Sequence, residues 1–201
     1  LISAGSTNAT LNFAGTWNGN KDDATIQTID VANAATASNI AFNVNSGAYV
    51  KLINQDLALG SSSSFNVKNG GTLDFGFSPS NLALNITNHV NTAAFKTEAN
   101  STIKITSSEG ITNTTGSGNV RTMTTGRVFD KGATYHYIGK VNQATGNGIP
   151  DQITGKLIVE LETQNATQDD LEFRSTGTTT FGTTGGINGL LEIRKGKVFD
   201  D

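Results

Sequence analysis

Apolar and polar residues alternate along most of the chain, in short phrases broken by Gly or Asn. Residues 65–75 read F-N-V-K-N-G-G-T-L-D-F. Phe65 and Val67 alternate with polar residues, Gly70 and Gly71 turn the chain, and Leu73 and Phe75 alternate again. A period of two puts each apolar set on one face of an extended strand. The phrase recurs. Phe42, Val44, Gly47, Val50 and Leu52 precede it by 23 positions, counted from Phe42 to Phe65. Phe95, Thr97, Asn100, Ile103 and Ile105 follow it by 30, counted from Phe65 to Phe95. Asn100 can stand where Gly stood because Asn tolerates positive φ better than other residues. A looser copy holds Phe129, Gly132, Tyr135 and Tyr137, another 32 positions on from Ile103 to Tyr135. Leu171, Phe173 and Phe181 suit a later copy, and Leu191, Ile193, Gly196 and Phe199 a last one. Between them, residues 156–161 (K-L-I-V-E-L) form a strong strand, and Leu11 with Phe13 begins the series.

Copies spaced by roughly 20–30 residues, each built of strands, predict an all-β parallel β-helix (β-solenoid) with one copy per coil. The residues expected to point inward are Phe42, Val44, Phe65, Val67, Leu73, Phe75, Phe95, Ile103, Ile105, Phe129, Tyr135, Tyr137, Leu171, Phe173, Leu191 and Ile193. The turns fall at Gly47, Gly70, Gly132, Gly146, Gly148, Pro150 and Gly196. In this arrangement Gly70–Gly71 is a corner between two sheets and not a hairpin reversal. Outward Asn and Thr stack on their equivalents in the next coil as hydrogen-bonded ladders. The runner-up is an antiparallel β-sandwich, which also alternates but demands no fixed offset between phrases.

Composition agrees with many short strands and narrows the functional classes. Of 201 residues, 35% are hydrophobic and 15% charged, with 23 Gly and 2 Pro, so polarity comes mainly from uncharged side chains and turns from glycine. A formal net charge of −3 offers no basic face for nucleic acid. No apolar run approaches the roughly 18–20 residues of a membrane-spanning helix. The absence of cysteine removes disulfides and thiolate metal sites. The chain opens at Leu1 in mid-pattern, so residues 1–201 are expected to be a single elongated section of a longer protein.

Candidate chemistry is sparse. His89 and His136 are isolated, and His136, between two inward tyrosines, is expected to face solvent. The loop with Asn18, Asn20, Asp22 and Asp23 offers oxygens to a calcium ion, with a solvated turn as the simpler reading. No other cofactor is expected. Glu160 and Glu162 share a strand face. With Asp74, Lys104 and the arginines they are the groups a polysaccharide lyase or hydrolase would need. Tyr135, Tyr137 and Trp17 are the rings a carbohydrate-binding module would use.

Residues 110–161 hold the most specific signal: R-V-F-D-K-G-A-T-Y-H-Y-I-G from Arg127, then Q-A-T-G-N-G-I-P from Gln143, then the strand at 156–161. The matching positions are Arg127, Phe129, Gly132, Ala133, Tyr135, Tyr137, Gly139, Gln143, Thr145, Gly146, Gly148 and Pro150. This segment resembles one in large secreted cell-surface proteins of the Bacteroidota exported by the type IX secretion system. The resemblance implies a secreted, extracellular location and a non-catalytic, adhesive or structural role within a surface fibre. The implied partners are neighbouring domains of the same long chain and polysaccharide, cell or substratum surfaces, with end-to-end self-association at open sheet edges. Read physically, Tyr135 and Tyr137 share a face and can fill a core, Gly146 and Gly148 permit a tight turn, and Gln143 is placed to bond that turn's backbone.

Overall fold

The computed structural model describes residues 9–16, 26–30, 39–53, 57–58, 62–76, 90–91, 94–161, 170–174, 180–181 and 189–200. The described residues form an all-β structure whose only helical piece is a single 3₁₀ turn, Thr124–Gly126. A five-strand sheet is built from Ala9–Phe13, Ile40–Val44, Ser64–Val67, Ala94–Thr97 and Arg127–Val128, in that spatial order. A seven-strand sheet runs Gln27–Asp30, Tyr49–Ile53, Thr72–Asp74, Thr102–Ile105, Thr134–Tyr137, Lys156–Glu160 and Leu190–Lys195. A three-strand sheet joins Gln143–Ala144, Asp170–Phe173 and Lys197–Asp200. Two pairs complete the set: Leu57–Ala58 with Val90–Asn91, and Gln152–Ile153 with Thr180–Phe181. Every strand pairing among the described residues is parallel, which overturns the antiparallel sandwich. Sheet order follows chain order, so each passage of the chain lays a strand beside the one before it.

Residues 65–75 show how the sequence produces this path. Ser64–Val67 lies in the five-strand sheet and Thr72–Asp74 in the seven-strand sheet, so the two halves of the phrase never pair with each other. Between them Gly70 adopts φ +74°, and Gly71 N–H donates to Lys68 O at 2.8 Å. A left-handed φ costs a residue with a Cβ about 1–2 kcal/mol, which glycine avoids. Asn100 takes the same conformation at φ 60°. The corners also bond to one another: Gly47 N–H to Gly70 O at 2.9 Å, Gly70 N–H to Asn100 O at 3.3 Å, and Asn100 N–H to Gly132 O at 2.9 Å. Gly132 departs from the expected pattern. It lacks the positive φ of its equivalents, and its N–H is held by Asp130 Oδ1 at 2.7 Å.

The registers are those of the repeated phrase. Phe42 stands opposite Phe65, Phe65 opposite Phe95, Leu73 opposite Ile103, and Ile103 opposite Tyr135. Phe42, Val44, Phe65, Val67, Leu73, Phe75, Phe95, Ile103, Ile105, Tyr135, Tyr137 and Leu171 are buried in one cluster that both large sheets feed. Stacked rings run through it, Phe13–Phe42 at 6.2 Å, Phe42–Phe65 at 5.7 Å and Phe65–Phe95 at 5.9 Å, and a tilted pair, Phe95–Phe129 at 5.7 Å, ends the row. On the polar face, Asn66 Nδ2 donates to Asn43 Oδ1 and Asn43 Nδ2 to Asn12 Oδ1, each at 2.9 Å.

Four placements differ from the sequence reading. Phe129, expected inward, is only half-buried, although its copy keeps the offset of 32 and sets Arg127 opposite Phe95. Leu171 and Phe173 belong to the three-strand sheet, and Phe173 is half-buried. Leu191 and Ile193 follow Leu157 and Val159 in the seven-strand sheet, so they match the second half of the phrase, not the first. Ile193, expected inward, is 50% exposed, because Leu190–Lys195 is the edge strand of that sheet and is covered from one side only.

Candidate functional site

The segment carrying Arg127 to Pro150 departs most from plain stacked strands, and polar side chains buried between strands hold it in place. Asn119 Oδ1 accepts from Thr106 N–H at 2.9 Å and Ser107 N–H at 2.8 Å, while Asn119 Nδ2 donates to Thr106 Oγ1 at 3.1 Å. This pins the irregular stretch after Thr102–Ile105 back onto the sheet. Gln143 does similar work from the next passage. Its Oε1 accepts from Gly139 N–H at 2.6 Å, and its Nε2 donates to Ile105 O at 3.2 Å and Ser107 O at 2.8 Å. Gln143 was expected to bond the 146–148 turn; it bonds the neighbouring passage instead, because it is buried and points inward. Gly146 takes φ +75°, and a Cβ there would lie 2.1 Å from Ile111 O, so this turn admits only glycine.

Tyr135 and Tyr137 are fully buried and cannot form a sugar-binding shelf. Their hydroxyls donate to Asp130 O at 2.8 Å and Thr145 O at 2.9 Å, and burial pushes both phenols well above their ordinary pKa. Arg127 is the clamp of the outer loop. Its Nη2 donates to Thr114 O at 2.6 Å, while Nε and Nη1 bond the carbonyls of Thr122 and Thr112. Partial burial lowers its pKa. No carboxylate pairs with it among the described residues. Beside it opens a cleft of about 320 Å³ lined by Asn113, Thr124, Phe129, Asn147 and Pro150 among others. A second hollow of about 560 Å³ lies along Gly132, Thr134, Gly155 and Lys156.

The outward face of the seven-strand sheet gathers charge. Lys51, Asp74, Lys104, His136, Ile158 and Glu192 follow one another in register. Tyr49 Oη donates to Asp74 Oδ2 at 2.6 Å, and Lys104 Nζ lies 5.2 Å from the centre of the Tyr49 ring. His136, expected to face solvent, is only 5% exposed. Its Nε2 is 2.9 Å from Glu160 Oε2, an oxygen that also accepts from Arg194 Nη1 at 3.2 Å. The carboxylate favours the imidazolium, but burial, first, and the nearby Lys104 outweigh it, and the pKa falls to about 4. At neutral pH the ring is therefore uncharged, and Nε2–H donates to Glu160.

These groups form a closed network. Glu160 is held by His136 and Arg194, and Asp74 Oδ1 by Gly76 N–H at 2.8 Å. Neither hollow has a carboxylate in its lining. Among the described residues no group of three or more His, Asp and Glu side chains is placed to hold a metal ion. Trp17, His89, Glu162 and the calcium candidates Asp22 and Asp23 lie outside the described residues. No family model, curated protein or solved structure matches this chain.

Proposed function

We propose that the chain is a β-solenoid (parallel β-helix) section of a longer bacterial cell-surface or extracellular fibre protein, of the kind that the type IX system of Bacteroidota secretes. It acts as a rigid, non-catalytic element that holds neighbouring domains in place and presents its outer faces for attachment to polysaccharide or substratum. The observation that supports this best is the register shared by successive passages, with a single shift, after Val159, among the described pairings. One ring column, one Asn ladder and one chain of bonded corners all run across successive passages. A stack held this way is stiff along its axis, because each passage bonds both the one before and the one after. Among the described residues its edge strands have one side without a partner strand, which favours end-to-end self-association or continuation into a neighbouring section.

A second reading, an enzyme acting on polysaccharide, draws on His136, Glu160 and Lys104 lying together on one face. One experiment separates the two. Beads coated with the whole chain are passed over bare and polysaccharide-coated surfaces under flow, while the medium is assayed for new reducing ends and unsaturated sugars. Retention without product is expected. Product that disappears in His136→Ala would replace the structural reading with the enzymatic one, and failure to be retained on any surface would remove the adhesive part.

A further inference from the structure

The ring column of the five-strand sheet has an open end. Phe42 and Phe65 each have a ring on both sides. Phe129 has Phe95 at 5.7 Å and the tilted Tyr135 at 6.5 Å, and it also lines the cleft. Among the described residues Arg127–Val128 is the last strand of that sheet, and none of them brings another ring over the outer side of Phe129. The open aromatic surface is ringed by hydrogen-bonding groups. Asn147 Oδ1 accepts from Asn113 N–H at 2.9 Å, which leaves Asn147 Nδ2 for a ligand. The Asn113 amide and the Thr124 hydroxyl are exposed on the rim and hold no bond to the described residues. Arg127 has five N–H donors, and three serve the loop carbonyls. Two remain, on a positive charge with no carboxylate beside it. At about 320 Å³ the space suits one sugar ring.

We propose that this cleft binds a single uronic-acid unit of an acidic polysaccharide. The apolar C–H face of the pyranose lies on Phe129 and Pro150, where the next ring of the column would otherwise be. Its hydroxyls meet Asn113, Asn147 and Thr124, and its carboxylate takes the two free donors of Arg127. A neutral sugar would leave that guanidinium without a counter-charge in a partly desolvated position. A β-strand from another protein is the main rival occupant, since Arg127–Val128 is an edge strand among the described residues and Val128 is 51% exposed. Such a strand would be recognised through main-chain groups and would need none of the amides, the hydroxyl or the spare guanidinium donors.

The proposal rests on the attachment reading and names its ligand. The test titrates the whole chain with tetragalacturonate and with oligo-alginate. The control is the carboxyl-reduced, neutral form of each. Binding of either acidic oligomer is expected, falling with added salt, with the neutral form roughly tenfold weaker or more. Arg127→Ala would release the loop and is uninformative by itself. Asn113→Ala and Thr124→Ala, both exposed, should keep the thermal midpoint and each weaken binding roughly three- to tenfold. Equal affinity for the neutral form, no binding at millimolar oligomer, or unchanged affinity in both variants would each overturn the site. So would concentration-dependent self-association that Val128→Lys abolishes and the uronates leave unchanged. If beads are retained on surfaces while soluble uronates do not bind, the site fails and the attachment reading stands. If uronates bind while beads are not retained, the site stands and the attachment reading fails.

Discussion

At the scale of single residues, stability depends on a few buried polar side chains. Asn119 satisfies the backbone N–H groups of Thr106 and Ser107. A buried donor left without an acceptor costs about 1–3 kcal/mol, so Asn119→Ala, which strands two, should lose roughly 2–6 kcal/mol, read as a shift of the denaturation midpoint. A loss below about 1 kcal/mol would mean that water replaces the amide. His136 adds a pH dependence. Its pKa is about 4 in the folded chain, against about 6.5 when unfolded. The unfolded chain therefore binds the proton first, and stability falls as pH drops below about 6.5 until the folded ring also protonates near 4. The effect is at most roughly 3–4 kcal/mol, since each pKa unit corresponds to about 1.4 kcal/mol. Glu160, Lys104 and Arg194 face the ring, and the hydrogen bond from Arg194 lowers the pKa of Glu192, so the informative quantity is the difference between the wild type and His136→Gln. Parallel stability–pH curves for the two would remove His136 from the account. Neither Asn119 nor His136 was legible in the sequence. The partners of Asn119 lie 12 and 13 residues back, those of His136 on other passages, and alternation says only which face a residue occupies.

At the scale of elements, the phrase and its corner carry the fold. Phe65 is buried between Phe42 and Phe95. Phe65→Ala leaves a ring-sized void and should cost about 3–5 kcal/mol. Asn43→Ala, which breaks two bonds of the half-exposed Asn ladder, should cost only about 1 kcal/mol. If the ladder variant proved the costlier, side-chain hydrogen bonds and not ring packing would hold the stack together. At the corner, Asn100→Ala should lose about 1 kcal/mol and Asn100→Gly almost nothing, because the φ of 60° is what the position demands. This level was the most legible. The offsets of 23 and 30 are the observed registers, since each phrase carries a pair of apolar residues, a positive-φ corner and a second pair. Legibility fails where the corner changes. The copy before Gly132 keeps the register but carries Arg127 where the earlier copies carry Phe, so the ring column ends on Phe129, two residues further on. The cleft opens beside Phe129 and is lined by loop residues, Asn113, Thr124 and Asn147 among them, whose positions alternation does not describe.

At the scale of the whole molecule, the strand order and register make a metric prediction. Neighbouring strands lie about 4.8 Å apart. Lys51 and Glu192 belong to one row, separated by five steps through Asp74, Lys104, His136 and Ile158. Asn12 and Val128 belong to another row, separated by four steps through Asn43, Asn66 and Lys96. Spin labels at the first pair should therefore lie about 24 Å apart and at the second about 19 Å apart, before allowance for label length and sheet twist. The contrast with sequence distance is what makes the test sharp. The first pair spans 141 positions (51 to 192) and the second 116 (12 to 128), yet the separations should scale with the number of passages and ignore the differing lengths of the connections. A single narrow distance for each pair, in a ratio near five to four, is the expected outcome. Broad distributions, or a second pair longer than the first, would mean that the passages do not stack in register. The ring column, and with it the open end at Phe129, would then lose its structural basis.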